Sequence, residues 1–157
     1  AFANIYPEKK YFGLDWASPS QKIISEIRKV KGFDITGLKF DMFHPETAPV
    51  IKPNSTIFTI GAMEQLGNAY DGLSEYLLTN DATYYVHIEP FVEMHSKDSL
   101  MGYIGAKYME KRGYLSGYLD KLYTLEKEGK ISISHCQPIM GSTNYSGWCI
   151  VAWKKVL

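Results

Sequence analysis

The sequence predicts an α/β fold: a mostly parallel sheet, helices on both faces, and one antiparallel strand near the C-terminus. Three observations predict it. Short apolar and β-branched runs alternate with stretches of helical periodicity, in the order β-α-β-β-α-β-α-α-β-β. The first two such runs lead directly into an acid, Asp15 and Asp41. The last two follow one another with no helix between them, joined by a Gly/Ser/Asn loop that marks a hairpin or wider turn.

The elements read in order as follows. Residues 1–8 read as a helix end and a loop. Residues 11–15 (YFGLD) are short, apolar and acid-terminated, a strand with Asp15 at its carboxyl end. Ser18, Pro19 and Ser20 open a helix, with a Ser cap and Pro in the first turn. Ile23, Ile24, Ile27 and Val30 form its buried stripe and Gly32 ends it. Residues 33–40 make the second strand, broken in pattern by Gly37, and a connection carrying Pro45, Pro49 and Pro53 follows. Thr56 to Ile60 alternate β-branched and apolar residues, which suits a third strand. Gly61 frees the backbone to turn, and Leu66, Ala69, Tyr70, Leu73, Tyr76 and Leu77 recur at helical spacing. A helix is therefore expected at once, ending near Asn80 and Asp81. Thr83 to Ile88 is the fourth strand, stopped by Glu89 and Pro90. A helix beginning at Ser96 or Lys97 carries Leu100, Met101, Ile104, Tyr108 and Met109, and Arg112 with Gly113 interrupts it. A further helix runs from Tyr114 to about Glu128 on Leu115, Leu119, Leu122 and Leu125, with Gly129 as its cap. Residues 131–136 and 148–153 are the closing strands.

Bulk composition narrows the class. The 157 residues fit one domain of ordinary size, and 45% hydrophobic with 22% charged residues is ordinary for a globular protein. Seventeen basic and 17 acidic residues give no net charge, so nucleic acid is not expected as a partner. No apolar run approaches the ~18 residues of a membrane span, and no signal peptide is visible. A cytoplasmic protein without a membrane partner is expected. Cys136 and Cys149 make neither a metal signature nor a disulfide framework, and read as buried thiols in a reducing compartment. They flank the closing hairpin almost symmetrically, so they are expected to face each other across it. No His/Asp/Cys spacing suggests a metal. The chain opens on Ala1 rather than Met and runs into a strand within a few residues, so it reads like a piece cut from a longer one.

Chemistry-bearing residues gather at strand ends. In open α/β sheets ligands bind at the carboxyl rim of the strands. Asp15 at that rim can accept hydrogen bonds from both hydroxyls of a ribose, or simply cap the helix after it. Asp41 can take the amino edge of adenine with Met42 or Phe43 over the ring, or stand as an ordinary loop acid beside a core Met. Together the two acids suit a grip on an adenosine from two sides. Thr59, Met63, Glu64 and Gln65 lie at the rim beyond the third strand. His87 and Glu89 close the fourth strand and alternate onto one face, which makes them the best-placed bases, with Glu64 next. The alternative for His87 is a buried structural histidine bonded to a carbonyl. A stretch rich in Tyr and Met (Met94, Met101, Tyr103, Tyr108, Met109, Tyr114, Tyr118) reads as helical core. It also reads as a cover over an acceptor pocket, lined by Tyr108, Arg112 and Tyr114, with Arg112 suited to a carboxylate or phosphate.

Asp15 followed by a Ser-Pro-Ser helix start, then residues 40–43 (FDMF), 58–65 (FTIGAMEQ), 86–90 (VHIEP) and a hairpin ending in 150–153 (IVAW), resembles a class I S-adenosylmethionine-dependent methyltransferase. The order and spacing carry the resemblance, over nearly the whole chain. It implies a Rossmann-like sheet, S-adenosylmethionine as cofactor, and methyl transfer to a small-molecule acceptor by in-line displacement. It implies that Asp15 and the adjacent Trp16 hold the ribose end and that Asp41 and Met42 flank adenine. Thr59 would border the methionine end and Gln65 the acceptor. The family's Gly-rich turn after its first strand is absent, because nothing of that kind precedes Asp15. Residues 1–157 then form one incomplete domain with the fold's first strand missing between this chain's first and third strands. Upstream sequence would restore it, or a homo-oligomer would lend it from another copy. A non-catalytic scaffold of the same fold is the alternative function. A nicotinamide-dependent oxidoreductase is a third, and it lacks any recognisable Tyr-x-x-x-Lys pair in context.

Overall fold

In the computed structural model, which describes residues 2–95, 98–142 and 145–156, backbone hydrogen bonds sort the strands into two sheets. The sheets belong to two units, Ala1–Ala48 and Pro49–Leu157.

The first unit contains α1 (Phe2–Ile5), β1 (Tyr11–Asp15), α2 (Ser18–Lys31) and β2 (Ile35–Lys39). β1 and β2 pair in parallel from Tyr11↔Ile35 to Asp15↔Lys39. The connection between them is the α2 crossover that parallel pairing demands. The cap of α2 is Ala17 rather than a serine, and it has no side-chain cap bond. Asp15 holds the helix start by accepting from the Ala17 N–H and the Ser20 hydroxyl. Gly32 ends the helix in the left-handed region at φ 69°. Gly37 is a glycine for reasons of space, since a Cβ there would lie 2.9 Å from the Gln21 Cα of α2.

The expected buried stripe of α2 is corrected. Ile23 is 60% and Val30 75% exposed, and Ile27 is exposed as well. Only Ile24 turns its side chain toward the sheet, where it lies against Gly13 and Gly37. A two-stranded sheet is too narrow to cover a stripe of four.

The second unit contains β3 (Thr56–Ile60), α3 (Asp71–Thr79), β4 (Tyr84–Glu89), α4 (Leu100–Arg112), α5 (Tyr118–Lys127), β5 (Ile131–Ser142) and β6 (Tyr145–Lys155). The strand order is β3-β4-β6-β5. β3 and β4 are parallel, while β6 runs antiparallel to both β4 and β5. Thus β6 is the one reversed strand of the sheet, inserted between β4 and the edge strand β5. The mostly parallel α/β class predicted from the sequence is the one observed.

Apolar side chains of α3, α5 and the sheet fill the core of this unit. Leu73, Leu77, Leu119, Leu122, Val151 and Trp153 are all buried, and Tyr85 stacks on Trp153 with ring centroids 3.9 Å apart.

A helix does not follow β3 at once. A 3-10 turn, Met63–Leu66, comes first, and α3 begins only at Asp71. Gly67 makes the break. Its φ of 58° with ψ of −109° is closed to L side chains, and a Cβ there would lie 2.8 Å from the Gly113 carbonyl oxygen. The helical periodicity of Leu66, Leu73 and Leu77 still marks burial, because all three point into the core. We expect Gly67→Ala to lower unfolding free energy by about 2 kcal/mol, measured by urea denaturation, since it combines backbone strain with a clash against main chain.

The two cysteines do not face each other. Cys136 is in register with Val151, and Cys149 with Pro138, because register shifts interrupt the β5–β6 ladder. Both thiols are free. The expected helix start at Ser96 or Lys97 lies outside the described residues. The chain leading into α4 is capped by Ser99, whose hydroxyl oxygen accepts from the Gly102 N–H at 3.0 Å. Among the described residues no helix is long and apolar enough to cross a membrane.

Candidate functional site

In the first unit the strand-end acids stand on one rim. Asp15 ends β1, Asp41 follows β2 by two residues, and the Phe40 N–H donates to the Asp15 carbonyl at 3.1 Å. Asp15 accepts from the Ala17 N–H and the Ser20 hydroxyl, each at 2.8 Å. These donors, the Ala17 N–H first, hold its carboxyl below the ordinary value of 3.8. Asp41 accepts from the Phe43 N–H at 2.9 Å, an Asx turn. Met42 is half-buried, whereas Trp16 is 73% exposed.

In the second unit the rim of β3 and β4 carries a denser polar group. Thr59 and His87 are register partners, and Glu89 lies two residues further along β4 on the same face. His87 and Glu89 are both fully buried. The His87 ring is engaged at both nitrogens, with Nδ1 2.9 Å from the Thr59 hydroxyl and Nε2 3.3 Å from the Tyr118 hydroxyl. Burial pulls its pKa down to about 3, so the ring is neutral. That corrects the expectation of His87 as a base. A ring with both nitrogens occupied and no solvent exposure has no position at which to receive a substrate proton.

Glu89 is different. Its Oε1 accepts from the Ala62 N–H at 3.1 Å, and the Met63 N–H and Thr59 hydroxyl also act on the carboxylate. Its Oε2 has no hydrogen-bond partner among the described residues. Burial raises the Glu89 pKa above the ordinary 4.5 despite those three donors. A buried carboxylate oxygen without a partner is costly, and in a native fold such an atom calls for an explanation.

The residues expected to line an acceptor pocket also assemble here. The Arg112 guanidinium lies 5.6 Å from the Tyr114 ring centroid, and Tyr114 meets Tyr108 edge to face at 6.1 Å. Glu64 accepts from the Gln65 amide at 3.1 Å and is close enough to Arg112 to stabilise its charge. The Ser116 N–H donates to the Gly67 carbonyl at 3.1 Å, which ties the turn after β3 to the segment after α4.

Tyr118 is the participant that residue patterns miss. The sequence singles it out only as one of a Tyr/Met-rich stretch, and it reaches His87 across 31 positions. The signal that could have pointed to it is local. It is the first residue of α5, following the left-handed Gly117, and so is aimed back at the strand ends. Among the described residues no group of His, Cys, Asp and Glu could hold a metal ion.

Parallel strands crossed by helices, an inserted antiparallel β6 and acids at the rim define an α/β protein with polar side chains gathered at the strand ends. No protein-family model matches the sequence, nor does any curated protein. Solved structures do match. An rRNA methylase from Escherichia coli superposes with a TM-score of 0.52 at 15% identity, over 94% of this chain and 49% of that one. The 16S rRNA methyltransferase RmtF, in complex with S-adenosyl-L-homocysteine, gives 0.57 at 13% identity, over 92% and 47%. LaPhzM gives 0.59 at 13% identity, over 99% and 45%. The chain therefore has the class I methyltransferase fold, and it spans about half the length of each of these proteins.

One expectation falls with this result. Charge balance does not exclude nucleic acid, since two of these three structures of the same fold are ribosomal RNA methyltransferases.

Proposed function

We propose that the protein transfers the methyl group of S-adenosylmethionine to a small-molecule acceptor that carries a proton on its nucleophilic atom. The observation that carries this reading is the buried Oε2 of Glu89 at the end of β4, without a hydrogen-bond partner among the described residues, in a chain with the methyltransferase fold. The cofactor, when bound, supplies a methyl group already activated by its sulfonium charge.

The residues fit the nucleoside part of that group. Asp15 spends one lone pair of each oxygen on Ala17 and Ser20, which leaves each oxygen able to accept a ribose hydroxyl. Asp41 and Met42 would take the adenine edge and face, with Trp16 beside the ribose. In the second unit, Oε2 of Glu89 would take the proton that the acceptor's nucleophilic atom gives up. Glu64, Gln65, Tyr108, Arg112 and Tyr114 orient the acceptor, and Arg112 attracts an acidic group on it.

RNA as the acceptor is the second reading, favoured by the likeness to two ribosomal RNA methyltransferases. Isothermal titration of S-adenosylhomocysteine into the protein carrying its complete natural sequence tests cofactor binding. Binding is expected, with Asp15→Ala weakening it at least about tenfold, the scale of one lost charge-assisted contact. Absence of binding in the complete protein would overturn the enzyme in favour of a scaffold. Radiolabelled methyl transfer into extracted small molecules or into total RNA then separates the two acceptor classes.

A further inference from the structure

Thr59, His87 and Tyr118 form a line of hydrogen bonds whose Thr59 end lies on the Glu89 face of the sheet, where the hydroxyl also acts on the Glu89 carboxylate, and the proton arrangement of the line has two forms. The Thr59 hydroxyl is 2.9 Å from His87 Nδ1, and His87 Nε2 is 3.3 Å from the Tyr118 hydroxyl. A neutral imidazole carries one proton, so one nitrogen donates and the other accepts. In the first form Tyr118 donates to Nε2, the Nδ1–H donates to the Thr59 oxygen, and the Thr59 hydroxyl is left to donate to Glu89. In the second form every bond is reversed. Thr59 then donates to Nδ1, the Nε2–H donates to the Tyr118 oxygen, and Glu89 loses the Thr59 proton.

Only the first form satisfies a carboxylate, which can accept and never donate. We propose that Tyr118, His87 and Thr59 act as positioning residues, a one-way hydrogen-bond chain that turns the Thr59 hydroxyl onto Glu89 and keeps the free Oε2 of its carboxylate available to a protonated acceptor group. The inference rests on the methyltransferase reading only for the identity of that group.

The packing favours a fixed polarity. His87 is fully buried, Tyr118 is 1% exposed, and their rings meet edge to face at 5.4 Å, so no water competes for either nitrogen. Other titratable groups face Glu89 from each neighbouring element. Glu64 lies on the turn after β3, His87 on β4 itself, Tyr118 on α5, and Cys149 at the Glu89 register position of β6. Glu64 acts against ionisation of Glu89, and the chain of donors counters it.

The test needs no cofactor or acceptor, so its outcome is separate from that of methyl transfer. Nitrogen-15 NMR of the His87 ring reports which nitrogen holds the proton. The proton is expected on Nδ1, and a proton on Nε2 overturns the proposal. Thr59→Val removes the acceptor at Nδ1 but leaves the Tyr118 oxygen, so His87 is expected to switch to the Nε2–H form. In the same variant the Glu89 carboxyl, followed by carbon-13 NMR and assigned with Glu89→Gln, is expected to bind its proton about tenfold more tightly, the size of one lost charge-assisted bond. Thr59→Ser keeps the hydroxyl and is expected to restore both signals. An unchanged Glu89 titration in Thr59→Val overturns the delivery of the proton to Glu89. Should Thr59→Val not fold, the wild-type ring proton and a wild-type Glu89 titration in Thr59→Ser carry the decision.

Discussion

Trp153→Ala lowers the unfolding free energy by about 4 kcal/mol, the range of large buried aromatics cut to a methyl group. Trp153 is 2% exposed, lies on β6 between register partners Tyr85 and Ile133, and stacks on Tyr85 at 9° between ring planes. Removing the indole leaves a cavity in the middle of the four-stranded sheet, where the backbone ladders on both sides resist collapse. For a chain of this length the melting temperature should fall by roughly 10 °C. A second readout follows from the Trp153 ring lying 6.1 Å from His87. Water admitted beside the imidazole should relax its pKa from about 3 toward the ordinary 6.5, visible in an NMR titration of the ring. Trp153→Phe, which keeps an aromatic face for Tyr85, should cost less than half as much. A loss below about 1 kcal/mol for the alanine variant would mean that this stack is not central to the fold.

Glu89→Gln separates two opposed pH dependences. His87 is neutral in the folded chain, with a pKa lowered to about 3 from 6.5. Its contribution is complete above pH 6.5 and is lost as pH falls toward the folded value, on the order of a few kcal/mol by pH 3. Glu89 works the other way. Its folded pKa is raised above 4.5, so the folded chain holds the proton more tightly than the unfolded one. Its contribution is complete below pH 4.5 and is lost as pH rises through the folded value.

In the window that opens at pH 4.5 and closes where folded Glu89 has lost its proton, the two slopes oppose each other and the wild-type stability curve is flattened. Glutamine keeps an acceptor for the Ala62 N–H and places an uncharged amide at the Oε2 position. The variant should therefore lose only the falling slope, and its stability should climb more steeply with pH across that window. At neutral pH it should match or exceed the wild type in urea denaturation, while the methyl transfer proposed above should drop by at least about a hundredfold, the usual scale of a lost general base. A variant less stable than wild type at pH 7 would show that the Glu89 carboxylate is structurally favourable, contrary to its burial.

The strands were legible because alternation and β-branching are local properties. β1, β3 and β4 fall within a residue or two of their expected spans, and the acids at the strand ends are where the pattern puts them. What pairs with what is a different matter. The insertion of β6 between β4 and β5 depends on distant hydrogen bonds, and so does the register that keeps Cys136 and Cys149 apart. The α2 stripe shows the same limit from the other side. Periodicity reports which face of a helix is apolar and does not report how many strands stand ready to cover it.

At the candidate site, Glu89 was legible as an acid ending a strand. The neutrality of His87 was not, since that follows from complete burial. The delay before α3 turns on one backbone conformation at Gly67, set by a carbonyl from far along the chain.

The outer strand of the second sheet has one more consequence. In β5, Pro138 has no N–H to offer, and the register slips between Ile133 and His135 and again between Pro138 and Met140. A foreign strand laid along that border would find an uneven row of donors and a bent template, so self-association by sheet extension is discouraged there. Replacing Pro138 with Val should add the missing donor and make concentrated solutions of the protein quicker to form thioflavin-positive aggregates.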